Sequence, residues 1–395
     1  MGQKRKVGVI FGGRSVEHDV SIITGLQIIR ALDRERYEVV PIYISKNGEW
    51  YTGNALTDIG SFLNFDPDVI GATRAAIPPD RGVGGLITPL TSGWLRSSKV
   101  IPLDVVFPCV HGTHGEDGTL QGLLEMADLP YVGCDVVSSA IGMNKVMTKK
   151  ILRYHGLPIL DFLIIGKYEW QLDSNQAIAR ISDKFRYPLF VKPVALGSSI
   201  GISKAQNETE LREALETALS FDDAAMIESA VENMIEVNCA VLGDSQELTA
   251  SACEQPIPWQ DFLSYEDKYM RGKAALGMKG AERKIPAPIS ETLRERIQKT
   301  AVQAFQAIGG CGIARIDFFV NQKTEKVYVN ELNTMPGSLS FYLWEPTGLK
   351  PSQVVDKLIQ IALEVHKTKQ QKIFSYDVGL LVKAASSGLK FGIKK

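Results

Sequence analysis

Two short segments toward the C-terminal end, Ala314-Arg315-Ile316-Asp317 and Asn330-Glu331-Leu332-Asn333, set hard oxygen donors into otherwise apolar strand patterns. Side chains two apart on a strand share a face, so Glu331 points the same way as Asn333, and Arg315 the same way as Asp317. Carboxylates and an amide are costly to bury in such surroundings unless a cation pairs with them, and oxygen donors of this kind suit magnesium. The competing reading is an ordinary polar sheet edge. Arg315 adds a guanidinium that can neutralise charge developing on a phosphate or a tetrahedral oxyanion.

The segment Lys192-Pro193-Val194-Ala195-Leu196-Gly197-Ser198-Ser199-Ile200-Gly201 ends a strand in lysine and continues in small residues. One ammonium and several backbone N–H groups can then surround a phosphate. The G-K-[ST] ending of a P-loop is missing, so phosphates would be held by lysines arriving from strands. Lys145, in Gly142-Met143-Asn144-Lys145, is a second candidate. Taken alone, either lysine also reads as a solvated surface charge.

Gly12-Gly13-Arg14-Ser15-Val16-Glu17-His18-Asp19 is a glycine turn opening a helix, a place where backbone N–H groups attract anions. The G-x-G-x-x-G spacing is absent, and Glu17 and Asp19 would oppose a pyrophosphate. A carboxylate there suits an ammonium group; equally, both acids favour a helix N-terminus for its dipole alone. His111 and His114 lie in a glycine-rich turn, where His111 reads either as a general base or as a group that fixes the turn. His18, His155 and His366 read as structural.

These residues must be positioned by more than one core, because a chain of 395 residues exceeds what a single core usually serves. Lys6–Phe11, the glycine turn and a helical pattern from Val16 to Leu32 give strand, turn and helix; Tyr37–Ile44 and Asp104–Val110 continue the sheet, an α/β pattern. A lysine-rich helix from Asn144 to His155 ends at Gly156-Leu157-Pro158, and strands follow near Phe162–Ile165 and Leu189–Val194. Further strands are expected at Glu236–Leu242, Gly312–Val320 and Lys326–Leu332, with a helix from Ser290 to Ile308. The expected division is an N-terminal doubly wound α/β domain over 1–142, a small central unit over 143–233, a C-terminal unit over 234–367, and a tail over 368–395.

Composition narrows the function classes. With 45% hydrophobic and 23% charged residues the chain is an ordinary globular one, and a formal net charge of -1 offers no positive field for nucleic acid or anionic lipid. Cys109, Cys134, Cys239, Cys253 and Cys311 are scattered singly, without a C-x-x-C pair, as expected of reduced thiols in the cytoplasm. No secretion signal and no membrane-spanning run is expected.

Taken together, the motifs resemble the D-alanine:D-alanine ligase family of ATP-grasp enzymes. They are FGGRSVEHDVS at 11–21, HGTHGEDGTLQGLLE at 111–125, KPVALGSSIGISK at 192–204, SYEDKY at 264–269, ARIDFF at 314–319 and NELNTMPG at 330–337. The resemblance runs from about residue 6 to residue 366 and implies an ATP-grasp fold with ATP between the central and C-terminal units. It implies ATP-dependent joining of two D-alanines through an acyl phosphate, for peptidoglycan precursor synthesis, by a cytoplasmic homodimer. Lys145, Lys192 and the loop residue Ser199 would attend the ATP phosphates, Glu228 and the backbone of Val231 the adenine, and Glu236 the ribose. Asp317, Glu331 and Asn333 match residues that hold two magnesium ions, for which manganese can substitute. Lys268 would reach the γ-phosphate, and Glu17, Ser198 and Tyr269 match a hydrogen-bonded trio that orients the first amino acid. Arg315 and the backbone N–H of Gly337 would stabilise the oxyanion, with His111 near the substrates.

The retained Tyr269 points to an amine as second substrate. The chain departs from the family after Pro336-Gly337, where a serine five residues past the glycine often holds the second substrate's carboxylate; here that position is Tyr342, with Ser338 and Ser340 nearby. Two alternatives remain: a ligase taking D-serine or D-lactate as second substrate, or a non-catalytic nucleotide sensor.

Overall fold

β1 (Arg5–Gly12) is enclosed from Val7 onward, because both of its faces are covered. The structure is a computed structural model that describes residues 3–89, 98–257 and 283–386. β2 (Tyr37–Ile44), β3 (Trp50–Thr52) and β4 (Thr73–Arg74) follow, then the hairpin β5 (Gly85–Thr88) and β6 (Lys99–Pro102), then β7 (Val105–Pro108). The first sheet runs β4-β3-β2-β1-β7, with β1 parallel to β2 and β7, and with β3 antiparallel to β2 and to β4. Val7, Val9 and Phe11 pack toward the helices His18–Ala31 and Pro351–Lys369, while Ile10 and Val106 pack toward the helix Thr119–Met126. Each such aliphatic side chain contributes about 1.5–3 kcal/mol on burial. A parallel strand covered on both sides reads as one apolar run, which is why this segment was legible.

The second sheet is antiparallel, in the order β10-β9-β11-β8, from β8 (Phe162–Gly166), β9 (Leu189–Pro193), β10 (Ser203–Ala205) and β11 (Ala224–Ser229). Leu189, Val191, Ala225 and Ile227 face the helices Ser174–Lys184 and Glu208–Phe221. Alternation then turns Phe190, Lys192, Met226 and Glu228 to the other face, part of which is covered by the helix Lys145–Tyr154.

The third sheet is also antiparallel, in the order β14-β13-β12-β15-β16, from β12 (Met234–Gly243), β13 (Leu248–Pro256), β14 (Arg283–Lys284), β15 (Gly312–Asn321) and β16 (Val327–Asn333). Val237, Cys239, Val241, Ile316 and Phe318 pack against Ile297, Ala301 and Phe305 of the helix Glu291–Ala307. That helix is capped by Ser290, whose side chain accepts from the Leu293 N–H at 3.3 Å, as a serine N-cap should.

The expected strands and helices form, with ends shifted by a few residues. Helices Thr119–Met126, Val136–Met143, Lys167–Leu172, Ser174–Lys184, Glu208–Phe221 and Pro351–Lys369 and the strands β3–β6, β10, β11, β13 and β14 were among those not anticipated. Among the described residues no helix is long and apolar enough to cross a membrane, and the described cysteines are free thiols.

Candidate functional site

The third sheet carries its chemistry on one face. Its register aligns Glu254 with Asn238, Asn238 with Asp317, and Asp317 with Glu331, so four polar side chains form a row across four strands. One step along, Arg315 lies opposite Asn333. The other parity of the same strands is the core just described, so the polar row follows from strand alternation.

The row is internally neutralised. Arg315 grips Asp317 through both oxygens, Nε to Oδ1 at 2.6 Å and Nη2 to Oδ2 at 2.7 Å. Burial works against the Arg315 charge, but Asp317 overrides it and raises the guanidinium pKa well above its ordinary value. Asn333 Nδ2 donates to Asp317 Oδ2 at 3.1 Å. Glu254 accepts from Tyr342 Oη at 2.8 Å and Asn238 Nδ2 at 3.1 Å, and faces Arg283 Nη1 at 3.3 Å.

Across the cleft, Lys145 Nζ donates to the Leu196 carbonyl at 2.6 Å and lies 3.7 Å from Glu331 Oε2. Lys192 Nζ donates to Asn330 Oδ1 at 3.0 Å and stands 5.1 Å from the centre of the Phe319 ring. It also pairs with Glu228 Oε2 at 2.8 Å, and Lys149 pairs with Glu228 Oε1 at 2.6 Å. Both lysines thus form ion pairs with one buried carboxylate. Burial pushes the Glu228 pKa up, yet the two lysines outweigh it and hold the carboxylate below its usual range.

Glu228 is not among the residues that border the cleft. It is 1% exposed and enclosed between two cations. Val231 lies in the turn joining β11 to β12, and Glu236 lines the cleft beside Phe190, Ile202, Met234 and Phe319.

At the other end, Ser198 Oγ donates to Glu17 Oε1. Ser198 and Ser199 both adopt left-handed backbone, with φ of 55° and 59°, and both line the cleft. Such conformations cost about 1–3 kcal/mol each for residues with a side chain, so the surrounding loop must hold them. His111 is buried, with Nε2 2.8 Å from Thr24 Oγ1 and Nδ1 3.8 Å from Glu116 Oε2. Burial acts to lower its pKa, but Glu116 reverses the sign and the net shift is upward. Glu116 also accepts from Gly112 N at 2.8 Å and Met335 N at 3.0 Å, which ties the first sheet's loops to the segment leading to Gly337.

The cleft encloses about 1120 Å³, counting its open mouth, and is bordered by Glu17, His111, Lys192, Ser198, Arg315, Asp317, Glu331, Asn333 and Gly337. A smaller adjoining hollow reaches Lys145 and Gly197. Lys268 and Tyr269 lie outside the described residues. Sequence reasoning missed Glu116, Asn238, Glu254, Arg283 and Lys149. Lys149 carried one signal, its spacing of four from Lys145 on a helix.

Among the described residues no group of three or more His, Cys, Asp or Glu side chains converges as a metal site. Two carboxylates and an amide nevertheless fit a magnesium ion that keeps water and phosphate oxygens as its other ligands. Both carboxylates already face cations of the chain, which such an ion would share.

Comparison with known proteins places these features. A family model described as D-ala D-ala ligase N-terminus matches residues 6–134, and one described as D-ala D-ala ligase C-terminus matches residues 151–360. The chain is 40% identical over 375 residues to D-alanine--D-alanine ligase of Thermosipho africanus, covering 95% of this chain and 97% of the relative. It is 41% identical over 380 residues to the enzyme of that name from Caldicellulosiruptor bescii, covering 94% and 98%. The D-alanine-D-alanine ligase structure from Coxiella burnetii superposes with a TM-score of 0.76 at 32% identity, covering 98% of this chain and 99% of that one. VanG D-Ala:D-Ser ligase from Enterococcus faecalis does so with 0.77 at 31% identity, covering 91% and 100%.

Proposed function

The chain belongs to the D-alanine:D-alanine ligase family, with the ATP-grasp fold, and from that premise we propose how its own residues join two D-alanines at the expense of ATP for peptidoglycan synthesis. The observation that carries the reading is one cleft with Lys192 facing Asp317, Glu331 and Asn333, and with the Glu17–Ser198 pair at its far end. That is a phosphate and metal side opposite an ammonium-binding side.

ATP lies between the central unit, 143–233, and the C-terminal unit, 234–367. Its base enters the slot of Phe190, Ile202, Met234 and Phe319, Glu236 takes the ribose, and the Val231 backbone meets the adenine edge. Lys145, Lys192 and the Ser199 loop hold the phosphates. Glu228 and Lys149 act behind them by fixing Lys192. Asp317, Glu331 and Asn333 would hold magnesium, or manganese in its place, which screens the phosphate charge.

The first D-alanine sets its ammonium against Glu17, whose carboxylate Ser198 orients, and Tyr269 is assigned to the same trio. Its carboxylate oxygen attacks the γ-phosphorus, the new P–O bond forms and ADP leaves. The amine of the second D-alanine then attacks the acyl carbonyl, phosphate departs and the amine's proton passes to solvent. Arg315 and the Gly337 N–H stabilise the oxyanion. Lys268, outside the described residues, is assigned to the γ-phosphate from the family resemblance. His111, with Nε2 2.8 Å from Thr24 Oγ1 and Nδ1 3.8 Å from Glu116 Oε2, fixes the turn instead of abstracting a proton.

The test is phosphate release from ATP and magnesium with D-alanine, L-alanine, D-serine or D-lactate, with products weighed by mass spectrometry. D-alanine-dependent phosphate release with a D-alanyl-D-alanine mass is expected. Phosphate without that product would overturn the substrate assignment.

A further inference from the structure

Five residues after Gly337, where the family resemblance leads one to expect a serine, stands Tyr342, and its hydroxyl is committed to Glu254 at 2.8 Å. Ser340 is fully buried away from the cleft, and Ser338 does not border it. None of these three hydroxyls is therefore placed to receive the second substrate's carboxylate. Arg283 is: it borders the cleft together with Arg315 and Gly337, on the short strand β14 opposite Pro256. Its guanidinium lies 4.2 Å over the Tyr342 ring and 3.3 Å from Glu254 Oε2, and its side chain is 13% exposed.

On the ligase reading above, we propose that Arg283 binds the carboxylate of the second D-alanine, and that Tyr342 and Glu254 are the platform that aims it. The tyrosine thus replaces the serine by carrying a cation instead of by donating its own hydroxyl. Stacking fixes the plane of the guanidinium, and the carboxylate behind it fixes its rotation. A guanidinium carries five N–H donors in a rigid fork, so a contact to Glu254 and one to a planar substrate carboxylate are compatible. The charges also call for it. Glu254 and Asp317 already balance Arg283 and Arg315 here, so an incoming carboxylate needs a donor that can face it directly, which Arg315 does for the oxyanion and Arg283 for the acceptor.

The experiment compares wild type, Arg283→Met and Arg283→Lys in two assays that share the first half-reaction. In one, D-alanine is the acceptor and dipeptide is measured. In the other, hydroxylamine, which has no carboxylate, intercepts the acyl phosphate: its nitrogen bonds to the carbonyl, phosphate leaves, and D-alanine hydroxamate forms. Arg283→Met is expected to raise the D-alanine concentration needed by the acceptor about 10- to 100-fold, the worth of a charged hydrogen bond, while hydroxamate yield is retained. Arg283→Lys should recover part of the loss. Equal loss in both assays, or dipeptide formation by Arg283→Met at the wild-type D-alanine requirement, would overturn the assignment. Wild type forming neither product would instead remove the ligase reading itself.

Discussion

Ser198 Oγ donates a hydrogen bond to Glu17 Oε1, joining residues 181 apart in the chain. The glycine turn of the first sheet and the small-residue loop after β9 meet here, so the pair records a contact between two layers of the fold. Ser198→Ala is expected to leave the fold intact and to raise KM for the first D-alanine about tenfold, through loss of one charged hydrogen bond. Steady-state kinetics at saturating ATP measure it; an unchanged KM would detach Ser198 from the first site.

Glu331→Gln keeps size and hydrogen bonding but removes a charge from the proposed magnesium ligands. Turnover is expected to fall at least about a hundredfold, with far-ultraviolet circular dichroism unchanged. Wild-type-like turnover at ordinary magnesium concentration would sink the metal assignment.

Lys149 is fully enclosed and pairs with Glu228, so removing its charge strands part of a buried carboxylate. Lys149→Met is expected to cost about 3–5 kcal/mol, the usual consequence of breaking a buried ion pair on one side. In a double-mutant cycle, Glu228→Gln should recover part of that cost. Urea denaturation reads both, and purely additive effects would show that the two groups do not interact.

Two histidines should titrate in opposite directions from the ordinary value of 6.5. Burial lowers the His18 pKa; its Nδ1 lies 2.7 Å from the Gly13 carbonyl and its Nε2 3.1 Å from Tyr43 Oη, an arrangement suited to the neutral ring. Its stabilising contribution is present above 6.5 and is lost as pH falls through the lower folded value. His111 is raised, net of burial, by Glu116, so its contribution is complete below 6.5 and is lost as pH rises through the higher folded value. Histidine-selective NMR titration checks the order; a His18 midpoint above that of His111 would contradict both.

How much of this was readable beforehand depends on whether the signal is local. Asp317, Glu331 and Asn333 betrayed themselves as charges or amides inside apolar strands, and the parity of Arg315 followed from the same pattern. Glu254 sits equally oddly in its strand, but its meaning depends on lying beside Asn238 and Asp317, and register between distant strands leaves no mark in a single sequence. Glu228 was legible as a residue of the hinge and not as the partner of two lysines, because only the packing of the helix Lys145–Tyr154 brings Lys149 to it. Lys149 and Lys150 are neighbours of identical type, and the helix turns one into the interior and leaves the other exposed.

The alternating faces of the third sheet also bear on how such an enzyme can change over time. Core residues such as Val237, Ile316 and Phe318 and chemical residues such as Asn238, Arg315 and Asp317 alternate along the same strands, yet they answer to different demands. Substitutions at one parity are judged by packing, and those at the other by substrate. Acceptor preference can therefore drift at positions such as Arg283, Glu254 and Tyr342 while the scaffold is inherited unchanged, which gives one architecture room to serve more than one cell-wall chemistry.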